Sequence, residues 1–168
     1  KTINAVPSDA IAKIYGLSME IVQEYIDNFI TNIKFIVSQE NNIITIESKG
    51  KSAHASTPEN GDNAMTALIK LLVSMPFDET EEFIVLKNLA KLFPYGETNG
   101  KSVGLECKDI KSGELTLVFS VLNFECGKFE GKIDIRFPLC QTITGVITKL
   151  TTAFENCNIT ITHTSGDE

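Results

Sequence analysis

Two pairs of β-rich segments, each joined by a short turn, limit the folds open to this chain more than any other feature. The first pair is KFIVS and NIITIES (residues 34–38 and 42–48), which meet at ENN. The second pair is ELTLVFSVLNFE and GKFEGKIDIRFP (residues 114–125 and 127–138), with a turn near Gly127. Each pair predicts an antiparallel hairpin, because β-forming residues flank a turn signal. Since helical segments separate the pairs, the pattern favours an α+β fold with helices on one face of an antiparallel sheet.

Helices are predicted where apolar residues recur every three or four positions. Ser8 is the expected N-cap of a short first helix that ends at Gly16, and Ser18 is the expected N-cap of the second. Asp78 and Glu81 have the spacing of a capping box at the start of the fourth. The predicted helices are VPSDAIAKIYG (6–16), the segment 18–30, NGDNAMTALIKLLVSM (60–75), DETEEFIVLKNLAKLFP (78–94) and TITGVITKLTTAFEN (142–156).

Two stretches lie outside these hairpins and helices. Residues 95–114 carry several glycines among polar residues and predict a long connection with room for a short strand. NITITHT (158–164) alternates apolar and polar residues and predicts a closing strand. His163 would continue one face of that strand near its end, which is typical of a structural histidine.

Composition indicates a globular chain and narrows its partners. Of the 168 residues 42% are hydrophobic and 22% are charged, close to the average of folded proteins. The net charge of −7 argues against nucleic-acid binding, which needs a basic surface. No apolar run is long enough to span a membrane, and no secretion signal is recognisable. Because the sequence starts at Lys1 as if within an element, we expect a piece of a longer chain.

The four cysteines show no pattern of a metal or redox site. Cys107, Cys126, Cys140 and Cys157 form no CxxC pair, and none has a histidine at zinc spacing. Without a secretion signal, such isolated cysteines predict reduced thiols in a cytoplasmic protein.

His54 is the strongest candidate for chemistry that the residues themselves offer. It lies in GKSAHASTPENGDNA (50–64), at the junction between a predicted strand and a predicted helix. Ala53 and Ala55 leave space around its ring, and such junctions often present functional groups. An imidazole there can donate a hydrogen bond to a developing oxyanion. The alternative is a histidine with a structural role only.

Arg136 and Asn4 are weaker candidates for binding a ligand. Arg136 lies on the polar side of an otherwise apolar strand, and its planar guanidinium matches a carboxylate. It could equally form a surface ion pair with Asp134. Asn4 precedes AVP, where a turn or capping role is the simpler interpretation.

Four segments together resemble a known enzyme family. GKSAHASTPENGDNA resembles the G-x-x-A-H-A-S-x-P-x-x-G-x-N-A segment of the zinc aminoacylase/carboxypeptidase/dipeptidase metallopeptidases. INAVPSDA (3–10), DIKSGELT (109–116) and KIDIRFP (132–138) are similar to further motifs, in the order found in the dipeptidase V-like branch. The resemblance implies a ferredoxin-like lid (dimerisation-type) domain, enlarged by extra helices, because every matched segment belongs to that part of such enzymes.

The resemblance also implies a role for each candidate residue. His54 would stabilise the tetrahedral oxyanion formed when water activated by zinc attacks the peptide carbonyl. Arg136 would bind the free carboxylate of a dipeptide, and Asn4 would help to hold that end. One departure concerns Asn4, since the family has aspartate directly after the proline where this chain has Ser8.

We therefore expect residues 1–168 to be a single lid domain of a cytoplasmic two-domain hydrolase. The two zinc ions, their ligands and the general base would lie on a catalytic domain outside this sequence. The expected partners are a dipeptide and that catalytic domain, and the chain alone should be inactive and hold no zinc. The alternative is a non-catalytic α+β module for protein interaction or dimerisation. A more distant alternative is a cysteine-dependent hydrolase that uses His54.

Overall fold

The computed structural model describes residues 3–125 and 128–166, within which strands and helices are intermixed. The strands are antiparallel wherever they pair, which confirms the predicted α+β class. The elements in chain order are β1 (Asp9–Ile14), α1 (Met19–Asp27), β2 (Lys34–Glu40), β3 (Ile43–Lys49), α2 (Ala64–Ser74), α3 (Glu81–Leu92), β4 (Lys108–Asp109), β5 (Gly113–Glu114), β6 (Thr116–Glu125), β7 (Lys128–Arg136) and α4 (Ile143–Glu155). Short 3₁₀ turns lie at Pro58–Asn60 and Lys101–Val103.

The first predicted hairpin is confirmed as part of a three-stranded sheet in the order β1-β3-β2. The turn between β2 and β3 places Asn41 at a φ of 55°, a conformation that asparagine tolerates better than most residues. Along β3, every second residue is buried, including Ile44, Ile46 and Ser48. This alternation turns one face of the sheet toward α1 and α2.

The predicted helix at residues 6–16 is wrong, because the segment forms strand β1. Ser8 is no helix cap, since its Oγ donates to the carboxylate of Asp9. The inward residues Ala10 and Ala12 alternate with exposed ones, and β1 pairs along its whole length with β3. The neighbouring strand supplies backbone partners that the local sequence does not reveal, so tertiary pairing overrides the helical pattern.

The second predicted hairpin is confirmed as β6 paired with β7, although the turn proposed near Gly127 lies outside the described residues. Thr116 is opposite Arg136 at the open end, and the register shifts between Phe119 and Val121. The predicted connection at 95–114 contains the small β4–β5 ladder.

The predicted helices after residue 60 are confirmed, with one change of cap. Asn63 caps α2 by accepting from the backbone N–H groups of Met65 and Thr66. Thr80, not Asp78, caps α3, since its hydroxyl accepts from the Phe83 N–H. The helices cover two large hydrophobic clusters within the described residues. One joins α3 and α4 to β6, and the other joins α1 and α2 to the three-stranded sheet.

The predicted closing strand is wrong. Among the described residues after α4, none belongs to a strand. Ile159 and Ile161 still pack against the cluster around α3 and α4, so hydrophobic contact holds the segment without a sheet partner. His163 is exposed there.

The cysteines are not all isolated in space, although their spacing in the sequence shows no pairing. Cys107 and Cys140 lie in direct contact, and Cys157 is a free thiol, whereas Cys126 lies outside the described residues. The Ser112 hydroxyl accepts from the Leu139 N–H at 3.0 Å, so the segment after β7 lies against the β4–β5 turn. This contact between distant segments is invisible to a search for local cysteine spacing.

Within the described ranges, none of the helices combines the length and apolarity that crossing a bilayer would require.

Candidate functional site

The backbone around His54 is held by the N-terminal segment of the chain. The Ala55 N–H donates to the Asn4 carbonyl at 3.0 Å, and the Val6 N–H donates to the Ala53 carbonyl at 2.9 Å. These bonds form an isolated antiparallel bridge between Ala5 and His54. Asn4 and His54, which are fifty residues apart in sequence, therefore lie on directly adjacent backbone segments.

A second contact joins this bridge to Arg136. The Thr116 hydroxyl donates to the Ala55 carbonyl at 2.8 Å, so the start of β6 lies beside the His54 segment. Thr116 is the register partner of Arg136, which places the end of β7 next to it. The structure thus brings Asn4, His54 and Arg136 to one end of the β6–β7 hairpin. We call this group the bridge cluster.

The His54 side chain is exposed, and its Nδ1 atom has two polar neighbours. The backbone N–H of Ser56 donates to Nδ1 with an N···N distance of 3.2 Å, and the Ser56 Oγ lies 2.8 Å from the same atom. A backbone N–H can only donate, so Nδ1 must carry a lone pair in this arrangement. The proton of the neutral ring is then on Nε2, which is free to act as a donor toward a ligand.

The Arg136 guanidinium is only partly engaged by protein groups. Its Nε donates to the Asp134 carboxylate at 3.2 Å, and this pair is the ion pair considered above. The Arg136 side chain is 42% exposed, whereas the Asp134 side chain is 17% exposed. Because the contact uses Nε, the two terminal nitrogens can still present the fork that binds a carboxylate.

A polar network that the sequence pattern did not reveal supports the segment after His54. The Tyr95 hydroxyl donates to the Asp62 carboxylate at 2.6 Å and lies 2.8 Å from the Thr31 Oγ1. Burial, together with the hydrogen bond to Asp62, raises the pKa of Tyr95. Asp62 also exchanges two backbone hydrogen bonds with Lys51, which closes the loop that carries His54. Three segments separated by about thirty residues each supply this network, so no local motif could predict it.

The described residues contain no group of three or more histidine, cysteine, aspartate or glutamate side chains that could hold a metal ion. His54 lies beside asparagine, serine and threonine, which do not make a zinc site of the usual nitrogen, sulfur and carboxylate ligands. Within the part of the chain that the structure describes, the residues therefore do not fit a resident zinc ion.

The chain is similar to known peptidase domains. Residues 43–160 match the family model described as "Peptidase dimerisation domain", from the M20 peptidases. The chain is also 34% identical over 140 residues to "Putative dipeptidase YtjP" of Bacillus subtilis (strain 168). That alignment covers 82% of this chain but 30% of the relative, so the chain spans less than a third of the length of that protein. The family match includes His54 and Arg136, and it begins well after Asn4. Since the family model covers most of the chain, the chain belongs to the peptidase dimerisation domain family of the M20 peptidases.

Proposed function

We propose that this chain is the lid domain of a two-domain, metal-dependent dipeptidase. The observation that carries the proposal is the bridge cluster, in which the backbone segments that carry Asn4, His54 and Arg136 lie side by side at one end of a hairpin. The Bacillus subtilis relative is about three times longer than the segment aligned with this chain. Its name, which describes a dipeptidase, supports a dipeptide substrate. Asn4, His54 and Arg136 are all exposed, so a ligand can reach their side chains.

His54 is the proposed oxyanion donor. Its Nε2–H would donate a hydrogen bond to the carbonyl oxygen of the scissile peptide as negative charge develops there. The ring is fixed at Nδ1 by Ser56, and the backbone on either side is fixed by the bridge to the N-terminal segment. A donor held in this way need not reorganise during the reaction, which is the condition for strong stabilisation of a transition state.

Arg136 is the proposed carboxylate-binding residue, and Asn4 the residue that assists it. The terminal nitrogens of Arg136 would bind the C-terminal carboxylate of the dipeptide in a bidentate pair. Asp134 holds Nε and so restricts the direction of the guanidinium. The amide of Asn4, on the neighbouring segment, would complete the contacts to the same end of the substrate.

The metal ions, two zincs in our proposal, and the general base would be supplied by a catalytic domain outside this sequence. The described residues offer no ligand cluster, so we assign binding and charge stabilisation to this chain. The lid would close over the substrate so that groups from both domains meet.

Substitution of His54 in the complete enzyme tests the proposal. His54→Ala should lower kcat for dipeptides by about 10²–10³, the cost of one lost oxyanion donor. His163→Ala is the matched control, because His163 is an exposed histidine far from the bridge cluster along the chain. An unchanged kcat in His54→Ala would remove His54 from the mechanism.

The test of Arg136 uses the substrate as well as the protein. Arg136→Ala should raise KM for a dipeptide with a free carboxylate much more than for the same dipeptide amidated at its C-terminus. Equal losses on both substrates would return Arg136 to the structural ion pair with Asp134.

A second role is favoured by the family description and by the open sheet edges. Strands β1 and β2 lie at the two edges of the three-stranded sheet, and such edges can pair with another chain. If every substitution in the bridge cluster left hydrolysis unchanged, we would favour a module for subunit association instead.

A further inference from the structure

We propose that Ser56 is a positioning residue that holds His54 in the tautomer protonated at Nε2. Its hydroxyl and its backbone N–H both face the same ring nitrogen. The Oγ lies 2.8 Å from the His54 Nδ1, and the backbone N–H donates to Nδ1 with an N···N distance of 3.2 Å. The inference rests on the proposed function of His54 for its consequence in catalysis, but the tautomer can be measured separately.

The argument starts from the number of lone pairs. A neutral imidazole has one nitrogen that accepts and one that carries a proton. Because the Ser56 N–H has no lone pair, it is compatible only with an accepting Nδ1. The hydroxyl can rotate, so it can donate to the same lone pair and add a second, shorter contact. Both groups disfavour a proton at Nδ1, and the neutral ring keeps its proton at Nε2.

Backbone hydrogen bonds around His54 hold the arrangement of its ring and Ser56 in place. The Thr57 N–H donates to the His54 carbonyl at 2.9 Å, so residues 54–57 form a tight turn. On both sides of His54, the backbones of Ala53 and Ala55 are hydrogen-bonded to the N-terminal segment. The turn brings Ser56 back onto the ring that it controls, and the bridge prevents the histidine backbone from moving away.

His54 and Ser56 therefore have different roles within one short segment. With the Nε2–H tautomer, the exposed ring edge is a donor that matches an oxyanion. With the Nδ1–H tautomer, the same edge would present a lone pair toward a developing negative charge, which is repulsive. Ser56 therefore sets the sign of the interaction that His54 offers, without itself contacting the substrate.

The first test is spectroscopic and needs no substrate. Long-range ¹H–¹⁵N correlation spectra of this chain, selectively labelled at histidine, report which ring nitrogen carries the proton. We expect the unsubstituted chain to show a protonated Nε2 and an unprotonated Nδ1 at a pH where the ring is neutral. Ser56→Ala should shift both ¹⁵N resonances toward their mean, because the shorter contact is lost. Ser56→Thr keeps the hydroxyl and should restore the original pattern.

The controls separate a tautomer effect from a general disturbance. Ser52→Ala changes an exposed serine of the same segment and should leave the His54 resonances unchanged. Wild-type ¹⁵N resonances in Ser56→Ala would overturn the proposal, because the backbone N–H alone would then be sufficient. A protonated Nδ1 in the unsubstituted chain would overturn it as well.

The second test is kinetic and uses the complete enzyme. Ser56→Ala should lower kcat by about three- to tenfold, as expected for one hydrogen bond of ordinary strength, with KM unchanged. Ser56→Thr should recover most of that loss. If His54→Ala leaves kcat unchanged while the ¹⁵N pattern responds to Ser56→Ala, the proposed function fails and the positioning role stands. If His54→Ala lowers kcat and Ser56→Ala alters neither kcat nor the spectra, the proposed function stands and the positioning role of Ser56 fails.

Discussion

Gly50→Ala should destabilise the chain strongly, although the substitution adds only one methyl group. A Cβ at position 50 would overlap the backbone oxygen of Asp62 and would lie 2.8 Å from the Ile33 Cδ1 and 3.1 Å from the Ala64 nitrogen. Two of these three neighbours are backbone atoms, so rotation of a side chain cannot relieve the overlap. The Asp62 oxygen also accepts the Lys51 N–H at 3.0 Å, so moving it breaks the bridge that closes the His54 loop.

The magnitude follows from three terms. Overpacking at a site without room typically costs about 1–3 kcal/mol. Loss of the two backbone hydrogen bonds between Lys51 and Asp62 adds about 1 kcal/mol each. Alanine also lowers the entropy of the unfolded chain, which stabilises the folded state by about 0.4–1 kcal/mol. We expect a net loss of about 3 kcal/mol, equivalent to a fall in Tm of about 6–12 °C for a chain of this size.

Urea denaturation followed by circular dichroism is the assay, with Gly166→Ala as the matched control. A Cβ at Gly166 would meet no atom within 4 Å, so the same exchange of residues should change the free energy of unfolding by no more than about 0.5 kcal/mol. A loss below about 1 kcal/mol in Gly50→Ala would refute the reasoning. It would show that the loop from Lys51 to Asp62 shifts easily, and His54 could then not be regarded as rigidly held.

Three further substitutions test the packing around the site. Ser48→Ala should cost about 1–3 kcal/mol in urea denaturation, because the fully buried Ser48 hydroxyl donates to the Ala64 carbonyl at 2.8 Å. Asn63→Ala should cost about 1 kcal/mol through loss of the α2 cap, and Asn63→Asp should recover part of it because a carboxylate also accepts at an N-cap. Tyr95→Phe should cost about 1 kcal/mol at neutral pH by removing the hydrogen bond to Asp62. Because folding raises the pKa of Tyr95, its contribution is complete below the usual tyrosine pKa of about 10 and falls as the pH rises through the higher folded value. The phenylalanine variant should lack this loss of stability above pH 10, and an identical alkaline limb in both proteins would contradict the assignment.

The elements that could be predicted from the sequence are those whose stability is largely local. Segment 34–48 carries its own turn and alternation, and α2 and α4 carry their own caps and apolar stripes, so these elements form where the pattern places them. β1 could not be predicted in this way, because the alanines of its inward face also suit a helix and its partner strand is more than thirty residues away. The Cys107–Cys140 contact could not be predicted for the same reason, since it depends on how the β4–β5 turn lies against the segment after β7.

The same distinction between local sequence signals and distant contacts applies to the candidate site. His54 stands out from the sequence because histidine is rare in this chain and this one lies at a junction. The convergence of Asn4, His54 and Arg136 depends on the Ala5–His54 bridge and on the Thr116 hydroxyl, which no residue pattern encodes. Folding therefore explains how three distant segments come to lie side by side, whereas the roles that we propose for their side chains are decided by the substitutions described above.

The described residues around His54 offer hydrogen-bond donors rather than a group of metal ligands. At the bridge cluster, the guanidinium of Arg136, the amide of Asn4 and the Nε2–H of His54 can each donate toward an anionic group. Such donors suit a carboxylate and a developing oxyanion, and the charge of Arg136 is balanced by the Asp134 carboxylate beside it. The donors of the cluster therefore support the anion-recognition role that we propose for this chain.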